Sequence, residues 1–140
     1  MSCVCGCGRF GNTIIRNLAA CVISKKHNLK MCYKEKNKMD SLNIFLFNGD
    51  NIHNNTKNIN DNDYMNVLNT NEIDFNVSLC DYYQSKCISN EIHKYLHDEK
   101  NVNYYIENNP YYDRFNNNND CFIHIRLGDM IRFNPGFDYY

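Results

Sequence analysis

Two short runs in this 140-residue chain combine residue types that could do chemistry. In His124-Ile125-Arg126-Leu127-Gly128-Asp129, an apolar stretch, Cys121-Phe122-Ile123, leads into a polar turn. In a strand, His124 and Arg126 share one face, opposite Ile123 and Ile125. Open α/β sheets bind ligands at the carboxyl ends of their strands, and a guanidinium offers phosphate oxygens a planar fork. A phosphate ligand is one reading, and an Arg126–Asp129 pair that only holds the turn is the other. The second run, Gly8-Arg9-Phe10-Gly11-Asn12, follows an alternating segment and opens an apolar helix, a place where backbone amides collect and anions bind. It lacks the spacing of a dinucleotide fingerprint, and no Gly-Lys-Ser/Thr follows as in a P-loop. The bland alternative is a turn whose glycines allow φ > 0, with Asn12 as helix cap.

The elements that must position these runs follow from hydrophobic spacing. Residues 2–7 alternate as a strand, and a helix capped by Asn12 is expected from Thr13 to about His27. Its apolar positions Ile14, Ile15, Leu18, Ala19, Val22 and Ile23 recur at three and four, with Arg16, Lys25 and Lys26 off that face. Strands are expected at 29–33, 42–47 and 73–79, and a second helix within 84–96, where Ile88, Ile92, Tyr95 and Leu96 form a stripe. Residues 50–71 are too polar to fold tightly alone and read as a mobile, Asn-rich insertion. Asn108-Asn109-Pro110 breaks the pattern, and 116–119 reads as a linker. Lys34, Lys36 and Lys38 read as a solvated turn. No repeat is visible.

Composition bounds the class. An apolar fraction of 43% with 14% aromatic residues suits a folded core and argues against disorder. A net charge of −1 gives no global field for nucleic acid or an anionic membrane. Asn is the commonest residue, with 26 copies, so the Asn-x-Ser/Thr matches at Asn54 and Asn76 are expected by chance. The N-terminus has neither a basic nor an apolar leader region, and no segment approaches a membrane span. The expectation is a cytoplasmic chain without a transmembrane segment; peripheral association with a membrane is left open. Cys3, Cys5 and Cys7 fall on one strand face, without the paired knuckles of a zinc site. Cys21, Cys32, Cys80, Cys87 and Cys121 lie in apolar segments. Reduced, packing cysteines are expected, with a metal site on the first three, or disulfides, as the alternatives.

Three ordered segments together resemble a known group. Gly8-Arg9-Phe10-Gly11-Asn12 resembles the Gly-x-x-Gly-Asn opening of α-1,2-fucosyltransferases (glycosyltransferase family 11 type) and of the related protein O-fucosyltransferases. Asp81-Tyr82-Tyr83-Gln84-Ser85-Lys86 resembles their Gly-Tyr-x-Gln-Ser segment, and the run from His124 to Asp129 resembles their His-x-Arg-Arg-Gly-Asp signature. The chain departs from the pattern at Leu127, where a second Arg is common, and at Thr13, where Gln is common.

The resemblance implies an α/β fold, a Rossmann-like N-terminal half of a GT-B type glycosyltransferase. Residues 1–119 would form the acceptor-side domain, and 120–140 the first strand and turn of an incomplete nucleotide-sugar domain. It implies GDP-fucose as donor substrate, a glycan acceptor, inversion at the fucosyl carbon, and neither cofactor nor metal. Arg126 would be the catalytic residue, holding the β-phosphate as negative charge develops on GDP. His124 and Asp129 would shape that pocket, and Arg9 and Asn12 would line the facing acceptor side. With eleven residues after Asp129, the chain is expected to be incomplete as a catalyst alone and to work with a separately encoded C-terminal half. A non-catalytic glycan-binding remnant of the same fold, and a small metal protein built on Cys3, Cys5 and Cys7, are the rival expectations.

Overall fold

The computed structural model describes residues 1–6 and 8–109. Along the chain run β1 (Ser2–Val4), α1 (Phe10–His27), β2 (Met31–Cys32), α2 (Lys36–Ser41), β3 (Asn55–Ile59), α3 (Asp61–Asn69), β4 (Phe75–Leu79), α4 (Lys86–Leu96) and α5 (Glu99–Glu107). The strands form one parallel sheet in the order β2-β1-β4-β3. Its two edge pairs are each joined through a helix, β1–α1–β2 and β3–α3–β4. Helical crossovers are what parallel neighbours require. The α/β class therefore stands as expected, with a parallel sheet compatible with a Rossmann-like arrangement.

α1 starts after Gly8, whose φ of +85° a side chain would oppose. It stops at Asn28 in the left-handed region (φ 50°), whose N–H donates to Ser24 O. Lys25, Lys26 and His27 fill its last turn, where cations suit the helix dipole. The helix packs on β1 and β2 and against α3 and α4. Ala19, Ala20 and Ile23 are fully buried there, with Leu79, Val77 and Ile88 from the neighbouring elements. Buried hydroxyls tie layers together, as where Tyr64 Oη donates to Ala19 O at 2.8 Å.

Several expectations need correction. Asn12 does not cap α1. The helix begins two residues before it, Arg9 is the cap residue, and no side-chain cap bond forms. Residues 42–47 are not a strand, because side chains satisfy the backbone groups that a neighbouring strand would have bonded. Phe47 N–H donates to Cys21 Sγ at 2.9 Å, Tyr95 Oη donates to Phe45 O at 3.2 Å, and Tyr33 Oη donates to Phe47 O.

The polar stretch 50–71 is not a featureless insertion, since it supplies β3 and α3. Asn60 caps α3 by accepting from Asn62 N–H and Asp63 N–H at 2.9 and 3.0 Å. Tyr64, Val67 and Leu68 then make a buried stripe at three and four. β3 is an edge strand whose only buried residue is Ile59, so it carries almost no hydrophobic signal. α5, not expected from the sequence, is capped by Asp98 and anchored by buried Asn101, whose Nδ2 donates to Tyr95 O at 2.5 Å.

His27 is buried, and its Nε2 donates to Val67 O at 3.0 Å. Burial, with the Lys26 charge adding to it, outweighs that bond and holds the imidazole below its usual 6.5. The folded state therefore takes up this proton less readily than the unfolded chain. The stabilisation is present above about pH 6.5 and is lost as pH falls below it. The thermal midpoint should drop between about pH 7.5 and about pH 5.5, and His27→Gln should flatten that slope. An equal slope in the variant would assign the acid sensitivity to other groups.

Candidate functional site

Two of the three motif segments meet at the carboxyl edge of the sheet. Adjacent β1 and β4 put Cys3 opposite Ser78 and Val4 opposite Leu79, and Cys5 N–H extends the ladder to Leu79 O at 2.9 Å. The chains leaving these strands are the Gly8 turn and the segment 80–85, so 8–12 and 81–86 emerge side by side. Gln84 Nε2 donates to Asn12 Oδ1 at 3.1 Å, joining residues 72 positions apart. This is the bond that occupies Asn12 in place of a cap. Gly8 suits this turn through its φ of +85°, and a Cβ there would also lie 2.9 Å from Asn12 Nδ2. Gly11 meets no such limit, with open space around its missing side chain.

The 81–86 segment is held from several directions. Tyr83 is fully buried in the left-handed region (φ 57°). Its N–H donates to Asp61 Oδ1 at 2.7 Å and its hydroxyl donates to Ile59 O. Burial pushes that phenol up to about 12, so it stays a protonated donor. Asp81 accepts from Tyr82 N–H at 2.9 Å and Asp61 N–H at 3.2 Å. Ser85 caps α4 through Ile88 N–H. Gln84, by contrast, is exposed.

Below the two loops lies Arg16, which sequence spacing assigned away from the core but which is fully buried. Its Nε donates to Asp81 O at 2.6 Å and its Nη1 to Cys5 O at 3.1 Å. One guanidinium thus spans the ends of both strands. A disulfide between Cys5 and Cys80 joins the same ends, with Cα atoms 4.8 Å apart. This corrects the expectation of reduced, packing cysteines. Adjacency of β1 and β4 brings together two residues 75 positions apart, a relation no local spacing reveals. Cys21 is a buried free thiol as expected, whereas Cys32 and Cys87 are exposed. The metal alternative loses Cys5 as a thiolate ligand. Among the described residues, no three His, Cys, Asp or Glu side chains are arranged to hold a metal ion.

Of the five expected site residues, Arg9 sits exposed at the start of α1, and Asn12 is partly buried in its first turn. His124, Arg126 and Asp129 lie outside the described residues. Among the described residues, no helix is long and apolar enough to cross a membrane. No protein-family model, curated protein or solved structure matches this chain.

Proposed function

We propose that the chain provides the acceptor-side half of a fucosyltransferase-type site, in the GT-B manner, for transfer of fucose from GDP-fucose to a glycan hydroxyl with inversion. The Gln84–Asn12 hydrogen bond carries this reading. Two segments that resemble fucosyltransferase motifs, far apart in sequence, come into contact at the sheet edge where α/β folds bind ligands.

In this reading Arg126 neutralises the β-phosphate as the fucosyl carbon departs, His124 and Asp129 serve to shape the phosphate pocket, and the acceptor hydroxyl attacks directly. Asn12 and Gln84 orient one another and the acceptor, and Arg9, exposed at the start of α1, adds a cation for the acceptor.

The test measures fucose transfer from GDP-fucose to a glycan panel, with and without the nucleotide-binding half of a fucosyltransferase added in trans. Asn12→Ala and Gln84→Ala should each lower transfer about tenfold to a hundredfold, the scale of a misplaced reactant. Both sites are partly or fully exposed, so stability should change by less than about 0.5 kcal/mol. Transfer that proceeds at the wild-type rate in both variants would refute the role given to this contact.

A further inference from the structure

Beside the Gly8 turn, a cavity of about 370 Å³ is lined by Gly6, Gly8, Phe10, Thr13, Lys34, Glu35 and Lys38. The volume suits a small ligand. It abuts the first turn of α1, whose Phe10, Gly11 and Asn12 amides precede the first backbone bond of the helix, Thr13 N–H to Arg9 O at 3.1 Å.

Thr13, only 5% exposed as a residue, lines this cavity, and its hydroxyl makes no hydrogen bond among the described residues. Lys34 is held in position through its backbone by the fully buried Asn17. Asn17 Nδ2 donates to Lys34 O at 2.7 Å, and Lys34 N–H donates to Asn17 Oδ1 at 3.2 Å. The Lys34 side chain lies across Gly6, where a Cβ would come within 2.6 Å of its Cε. Lys34 forms no ion pair among the described residues, whereas Lys38 is bonded to Glu35 at 3.1 Å and stands 5.4 Å from the Phe10 ring centre.

We propose that this cavity binds a small molecule through an oxyanion, a phosphate or a carboxylate. The Lys34 ammonium would supply the charge, the Thr13 hydroxyl and the first-turn amides the hydrogen bonds, and Phe10 the apolar wall. The proposal does not rest on fucosyl transfer, because its readout is binding by the full chain without GDP-fucose.

The experiment is calorimetric titration of the 140-residue chain with inorganic phosphate, glucose 6-phosphate, glucuronate and neutral glucose. Saturable binding of at least one of the three anions is expected, and the tightest of them identifies the source of the oxyanion. Lys34→Gln and Thr13→Val should each weaken it about tenfold, the scale of a lost charge-assisted hydrogen bond, and Thr13→Ser should restore it. Circular dichroism checks that each variant is folded; Lys34 is exposed and Thr→Val preserves shape, so both should be. Should Thr13→Val unfold, Lys34→Gln and Gly6→Ala, which displaces the Lys34 stem, decide the matter. Absence of saturable anion binding, wild-type affinity in the folded variants, or glucose binding as tightly as glucose 6-phosphate would overturn the proposal.

Discussion

Arg16→Met is expected to destabilise the protein by about 3 to 5 kcal/mol, a large part of the stability of a domain this size. The guanidinium is fully buried and donates to two main-chain carbonyls, Asp81 O and Cys5 O. Methionine fills similar volume but donates nothing, so both carbonyls lose a charge-assisted bond where water does not readily replace it. Lysine keeps the charge but not the planar fork, so Arg16→Lys should recover only part of the loss. Urea unfolding followed by far-UV circular dichroism reads the effect directly. A loss below about 0.5 kcal/mol, the range of ordinary surface changes, would mean that Arg16 does not hold the two strand ends together.

Reduction of the Cys5–Cys80 disulfide should have an effect of comparable size. The bridge closes a loop with a sequence separation of 75, and loop-closure entropy for that length corresponds to about 4 kcal/mol. Dithiothreitol should therefore lower the unfolding midpoint of the wild type and leave a Cys5→Ala/Cys80→Ala variant unchanged. Equal unfolding curves with and without reductant would contradict a stabilising bridge. Disulfides persist mainly in oxidising compartments, so this bond gives no support to the cytoplasmic location expected from the N-terminal residues. Arg16 and the disulfide secure the same junction between β1 and β4, so their removal together should not cost the sum of the separate losses.

The sequence made some of this fold legible and hid the rest for physical reasons. α1 was readable because its apolar residues recur at helical spacing through Ile23, although its first turn begins earlier than Asn12 suggests. β4 and α4 announced themselves through residues that end up buried, Val77, Leu79, Ile88 and Ile92. Residues 42–47 were misread because their conformation is decided by Cys21, Tyr33 and Tyr95, distant in sequence. β3 was missed because an edge strand with four exposed polar residues carries no alternation to detect.

At the candidate site, Gly8, Asn12 and Gln84 were visible as parts of short motifs, but their contact is a tertiary fact. Arg16 looked like a solvent-facing residue of an amphipathic helix, and only the neighbouring carbonyls explain its burial. Lys34 was grouped with Lys36 and Lys38 as one solvated turn. The three differ in their partners: Lys36 is bonded to Asp40 at 2.8 Å and Lys38 to Glu35, while Lys34 is drawn across Gly6.

The most direct test of the proposed function is the product of the reaction. The chain, together with a nucleotide-binding half supplied in trans, is incubated with labelled GDP-fucose and a panel of glycans, and the fucosyl linkage is assigned by NMR. The expected product is a fucosylated glycan whose anomeric configuration is inverted relative to the donor. A product with retained configuration, or no fucosylated product when the same half restores a fucosyltransferase lacking its own, would contradict it.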